Sequence, residues 1–196
     1  MADNAAPRAL FVAAETRWRT LADDDPDRSS LYLSAEARIF TGQYLPRTSG
    51  VRRAQNWVIV LHRYETFWRI HSRTPRENTR DRTSLPAEER RLGEWARYQR
   101  RFQGGLCLYQ RIRVEVSPAF VWDMQEDAWH RNWNECVRLL ERAGRLPYLN
   151  SADRDEFALA RWLGRQMRHH QKGTLPEQRS SYLLELLQPS HPRQAG

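Results

Sequence analysis

The sequence predicts an all-α protein: two tandem three-helix units behind a helical N-terminal segment. Three observations predict it. Apolar residues recur at helical spacing along most of the chain, the signature of amphipathic helices. Strand-like alternation is confined to Arg113-Val114-Glu115-Val116. Landmarks in the middle of the chain reappear in the same order in its last third, as internal repeats do.

Residues 1–50 form the N-terminal segment, with residues 1–9 expected as a loose end. The acidic run Asp23-Asp24-Asp25-Pro26-Asp27 reads as a loop and helix start, because aspartate caps orphan N–H groups and proline suits the first helical turn. Gly42-Gln43-Tyr44-Leu45 is a candidate remnant of a third, degenerate unit. Unit 1 spans residues 51–125. Its first helix carries Trp57, Val60, Leu61, Tyr64, Phe67, Trp68 and His71, all within about 120° when wound at about 100° per residue. Its second carries Leu92, Trp95, Ala96, Gln99 and Phe102, and a shorter stripe follows near Leu108–Val116. Unit 2 spans residues 126–188. Its stripes are Trp129, Trp133, Cys136, Val137 and Leu140, then Leu159, Trp162, Leu163, Gln166, Met167 and His170, then Glu177–Leu187. Residues 189–196 are a tail. The periodic tryptophans Trp57, Trp68, Trp95, Trp133 and Trp162 belong to cores, and Trp122 closes unit 1 over its own.

The repeat rests on spacing. Each unit has a polar loop with proline, Ser72-Arg73-Thr74-Pro75 or Gly144-Arg145-Leu146-Pro147, and 14 residues separate Leu61 from Pro75 and Trp133 from Pro147. Each second helix places glutamine four residues after tryptophan, Trp95 to Gln99 and Trp162 to Gln166. A glycine follows, Gly105 or Gly173, as a helix C-cap would. Six residues later stands Arg111 or Arg179. The expected linker between the units is Asp123–Ala128.

The run Arg91-Leu92-Gly93-Glu94-Trp95, Gln99-Arg100, Phe102, Gly105-Leu106 and the closing Phe120-Val121-Trp122 resembles the helicase-associated domain family. That resemblance covers about two thirds of the chain and implies small three-helix repeats, often in tandem beside bacterial helicases, with a nucleic-acid-binding accessory role. Trp162, Gln166, Gly173, Leu175 and Arg179 carry it into unit 2. Unit 1 departs where Val116-Ser117-Pro118 ends the third helix early. Unit 2 departs more: Met167 replaces the arginine after the glutamine, one extra residue precedes Gly173, and the closing Phe-x-Trp is missing.

Charge supplies the functional clue. The 196 residues hold 32 basic and 24 acidic side chains, net +8, and Lys172 is the single lysine. Residues 51–125 alone carry net +7. A strongly basic chain suits an anionic partner, nucleic acid by default, and the guanidinium fork matches phosphate. On the second helix of unit 1, with Trp95 and Phe102 turned inward, Arg90, Arg97 and Arg101 lie within about 40° on the opposite face, flanked by Arg91 and Arg100. Arg161, Arg165 and Arg168 form the corresponding row in unit 2. The loop from Arg73 to Arg82, with Arg76 and Arg80, supplies backbone contacts, and Arg111 adds a further cation. Such rows neutralise phosphates and give salt-sensitive binding.

No catalytic residue, metal site or cofactor is expected. Walker-type and GxGxxG phosphate loops are missing from the sequence, and its six histidines lack HExxH or Cys/His ligand spacing. Cys107 and Cys136 read as packed side chains in a reducing cytoplasm. Glu88-Glu89 and Asp153, Asp155, Glu156 fall at helix starts, where they favour the helix dipole. No apolar run approaches the roughly 20 residues of a membrane span. The expected function is therefore non-enzymatic nucleic-acid binding, DNA ahead of RNA, with no membrane partner. The alternative is a protein-interaction adaptor that docks an acidic surface, such as a helicase or nuclease component.

Overall fold

A computed structural model describes residues 5–42, 48–77 and 82–188. The described residues are helical and contain no strand: α1 (Ala5–Arg19), α2 (Pro26–Thr41), α3 (Ser49–His71), α4 (Ala87–Arg101), α5 (Leu108–Glu115), α6 (Met124–Ala143), α7 (Arg154–Gln171) and α8 (Glu177–Leu187). Short 3-10 turns occupy Arg82–Ser84 and Gln103–Gly105. The chain divides into two compact units, Met1–Trp122 and Asp123–Gly196.

Local chemistry explains most boundaries. The Asp25 carboxylate accepts the Arg28 N–H at 3.2 Å and Pro26 opens α2, so the acidic run is a helix start. Asp23 accepts the Trp18 indole N–H at 2.6 Å and helps tie the α1–α2 connection. Thr48 caps α3, Asp123 caps α6 and Asp153 caps α7. Gly42, Gly144 and Gly173 have positive φ after α2, α6 and α7, the conformation glycine enters most readily.

Three expectations change. Residues Ala5–Ala9 are not a loose end but the first turns of α1. Asp123–Ala128 is not a linker, because Asp123 accepts the Gln125 and Glu126 N–H groups and α6 begins at Met124. The alternating run Arg113–Val116 leaves the helical reading intact: Arg113–Glu115 close α5, on the stripe near Leu108–Val116. Gly105 is no C-cap, since α4 stops at Arg101 and Gly105 lies in the following 3-10 turn. Residues 1–4, 43–47 and 189–196 lie outside the described residues, including Gln43, Tyr44 and Leu45 of the candidate third remnant.

In the first unit α2 packs on α3, α1 on α5 and α2, α5 on α2, and α4 on α3. The N-terminal helices thus share one core with α3–α5. Tyr32, Trp57, Val58, Leu61, Tyr64, Leu92, Tyr109, Ile112, Val114 and Phe120 are buried in it, each such side chain contributing roughly 1.5–3 kcal/mol of transfer free energy. Trp68, Trp95 and Trp122 pack against it half-buried. At its centre lies an ion network the sequence did not announce. Arg113, fully buried, donates to both oxygens of Glu65 at 2.7 and 3.0 Å and through Nε to Glu36 at 2.8 Å. Glu36 also accepts the Tyr109 hydroxyl at 2.8 Å and pairs with His62 Nε2 at 2.7 Å. One cation therefore joins α2, α3 and α5.

The second unit packs α6, α7 and α8 around Trp129, Cys136, Leu139, Trp162, Leu163, Leu183 and Leu186. The Trp133 indole N–H donates to the Tyr182 carbonyl at 3.1 Å, fastening α6 to α8.

Candidate nucleic-acid interface

The loop after α3 is held by a clasp. Arg73 donates through Nη1 to Glu89 Oε1 at 2.6 Å and through Nη2 to Oε2 at 3.2 Å, and Nη1 also reaches the Thr74 carbonyl at 3.1 Å. Glu89 accepts the Arg76 backbone N–H at 3.0 Å as well. The shared hydrogen bonds hold the Glu89 carboxyl below its ordinary range and push Arg73 up. Pro75, within this loop, is buried. The same set recurs after α6. There Arg145 donates to both oxygens of Glu156 and to the Leu146 carbonyl, and Glu156 accepts the Tyr148 N–H. Hydrogen bonding from Arg145 pulls the Glu156 carboxyl down to about 2. A second matched pair fastens the helices. The Trp57 indole N–H donates to Gln99 and the Trp129 indole N–H to Gln166, each at 3.0 Å.

These clasps alter the expected interface. Arg73 is occupied by Glu89 and lies over the Phe67 ring at 5.0 Å, so its fork serves the loop. Arg100, placed by the sequence beside the outward row, turns into the fold. It pairs with Glu77, donates to the Val121 carbonyl at 2.6 Å and sits over Phe120 at 5.4 Å. Its position at the rim of the helix face lets the long side chain fold back over the core. Arg76 remains exposed. Arg80 lies outside the described residues, and of Arg82 only the backbone, opening a 3-10 turn, is described.

The outward face of α4 keeps the other arginines. Arg91, Arg97 and Arg101 are exposed and Arg90 is half-buried, while Leu92, Gly93, Ala96 and Gln99 face the core. Arg97 donates to the Glu77 carbonyl at 2.6 Å, which steadies one of the row. Phe102 departs from expectation. It is 45% exposed because α4 ends one residue earlier, and its ring lies 4.5 Å from that of Tyr98, itself 58% exposed. Arg101 stands over the Phe102 ring at 5.5 Å. Sequence reasoning overlooked Tyr98; the signal was its i,i+4 spacing to Phe102 and its place outside the apolar stripe.

Arg111 is exposed on α5. In the second unit Arg161, Arg165 and Arg168 are all exposed on α7, with Arg161 over Phe157 at 5.9 Å. Arg165, Arg168, His169 and Lys172 border a hollow of about 190 Å³ near the end of α7. Arg165 also lines a wider groove of about 890 Å³ between α6 and α7, where Arg138 and Arg142 face Glu135, Asp153, Asp155 and Glu156. That groove carries mixed charge; the smaller hollow is basic. Arg179, the counterpart of Arg111 by spacing, pairs with Glu126 and covers Trp129 at 5.5 Å.

Among the described residues no group of three or more His, Cys, Asp or Glu side chains is placed to hold a metal ion. Burial pushes the Cys107 thiol up and the Cys136 thiol up to about 12, so neither is a thiolate nucleophile near neutral pH. No helix among the described residues is long and apolar enough to cross a membrane. Comparison of the chain with protein-family models, with curated proteins and with solved structures gave no match.

Proposed function

We propose that this chain is a non-enzymatic nucleic-acid-binding protein that takes DNA, related to the helicase-associated domain family and built on two versions of one three-helix unit. The observation that carries the binding reading is the outward face of α4, where Arg90, Arg91, Arg97 and Arg101 stand on the side away from the core of a chain with net charge +8. Phosphate contacts from such a row dominate affinity and give little sequence preference. Arg76, Arg111 and the exposed row Arg161, Arg165, Arg168 add further cations. The matched Trp–Gln bonds and Arg–Glu clasps support the reading of related units. In this reading the protein works in the cytoplasm, where its two buried free thiols stay reduced.

Fluorescence anisotropy with labelled duplex DNA, single-stranded DNA and RNA at several salt concentrations tests the proposal. Binding should weaken steeply with salt, and the R90A/R97A/R101A variant should lose about 0.9 of logarithmic salt slope per duplex phosphate contact removed. A chain that binds no nucleic acid at low salt overturns the reading and favours an adaptor for an acidic protein surface.

A further inference from the structure

Tyr98 and Phe102 are an unusual pair of side chains to leave in water. Tyr98 lies in the last turn of α4 and Phe102 caps its C-terminal end, 58% and 45% exposed, with centroids 4.5 Å apart and ring planes inclined at 42°. Neither ring joins a buried cluster. Arg97 and Arg101 are exposed beside them, and Arg101 lies over the Phe102 face at 5.5 Å. From residue 95 to residue 114 the chain carries five arginines and no carboxylate. The next residues, Gln103-Gly104-Gly105, are exposed, and a side chain at either glycine would meet no atom within 4 Å. The aromatic pair therefore adjoins a turn without side chains at Gly104 and Gly105, whose Gly105 carbonyl accepts from Arg28 at 2.7 Å, and the exposed guanidinium groups of Arg97 and Arg101.

We infer that Tyr98 and Phe102 form a stacking platform for the bases of single-stranded DNA, with Arg97 and Arg101 holding the flanking phosphates. The inference rests on the nucleic-acid reading above and narrows it to an unpaired strand. Charge complementarity selects the occupant: a polyanion satisfies the arginines, and among polyanions an unpaired strand also offers flat π-faces. Duplex DNA keeps those faces inside its stack and shows only edges and phosphates. Aromatic platforms next to basic grooves bind single strands with little sequence preference, because every base has a face to stack. Arginine beside the platform adds cation–π attraction.

Three labelled probes of equal phosphate count test this: an oligothymidine strand, an abasic strand and a duplex. The wild-type chain should bind oligothymidine roughly five- to 150-fold tighter than the abasic strand for each base stacked. The Tyr98→Leu/Phe102→Leu variant keeps apolar bulk but removes the π-faces. It should lose that advantage while its salt slope and thermal midpoint stay at wild-type values. A Tyr98→Phe/Phe102→Tyr swap should retain the advantage. Equal binding of oligothymidine and abasic strand, a leucine variant that keeps the wild-type advantage, or a swap variant that loses it would each overturn the platform while leaving phosphate binding intact. Failure to bind any probe overturns the platform together with the nucleic-acid reading.

Discussion

The indole N–H of Trp57 donates to the side-chain carbonyl of Gln99 at 3.0 Å, a buried bond spanning 42 residues that fastens α3 to α4. Both partners are nearly excluded from solvent, at 7% and 3% exposure. Gln99→Leu leaves that N–H without an acceptor, so the first unit should lose about 1–3 kcal/mol. Trp57→Phe in the same background should add less than it does alone, because the orphaned donor is gone. Urea denaturation of the four chains measures this, and strict additivity would argue against the bond.

Gly93 and Gly164 should respond to alanine with opposite signs. A methyl on Gly93 would lie 2.7 Å from the backbone carbonyl oxygen of Arg76, the residue whose N–H the Glu89 clasp accepts. Helix propensity favours alanine by about 1 kcal/mol, yet overpacking against backbone costs roughly 1–3 kcal/mol, so Gly93→Ala should destabilise or at best break even. Gly164 has nothing within 4 Å inside α7, and Gly164→Ala should stabilise by roughly 0.5–1 kcal/mol. Denaturation midpoints give both signs directly.

Arg113→Met should be the most damaging of these substitutions. It strands Glu36 and Glu65 in the core without their cation, a loss of about 3–5 kcal/mol for a broken buried pair. In the wild type burial works to raise the Glu36 carboxyl, but the His62 hydrogen bond and the Arg113 charge outweigh it and hold the group below its ordinary value. Glu36 therefore stabilises the fold above the ordinary carboxyl range, and that stability is lost as pH falls through its folded value. Without Arg113 the buried carboxylates favour protonation, so the deficit of the variant should shrink between pH 7 and pH 5. A deficit constant with pH would count against the network.

Glu156 supplies the clearest acid signature. Its carboxyl lies at about 2 against 4.5 for the free group. The folded form is thus favoured above pH 4.5, and that advantage disappears as pH drops from 4.5 toward 2. Carboxyl titration followed by NMR should find Glu156 low in the wild type and near its ordinary value in Arg145→Ala.

Periodicity made the helices legible: the stripes through Trp57, Trp95, Trp129 and Trp162 mark α3, α4, α6 and α7. Spacing also singled out Gln99 and Gln166, whose role as acceptors for tryptophan appears only once the helices are packed. The clasps were hidden because Arg73 and Glu89 are 16 residues apart and meet only through the path of the loop. Arg113 was read in a short alternating run, since periodicity cannot reveal that two carboxylates from other helices will surround it. Phe102 went astray for a boundary reason, as one residue past the end of α4 the helical wheel no longer says where a side chain points.

The two clasps separate the number of cations a protein carries from the number it can lend. A chain recoded with lysine at every arginine would keep its net charge and its long-range field. It would still lose the planar forks at Arg73 and Arg145 that grip both oxygens of a carboxylate at once. Both loops would come unlatched while every electrostatic inventory of the molecule read the same. Part of the arginine content is carpentry, and only the remainder is available to a ligand.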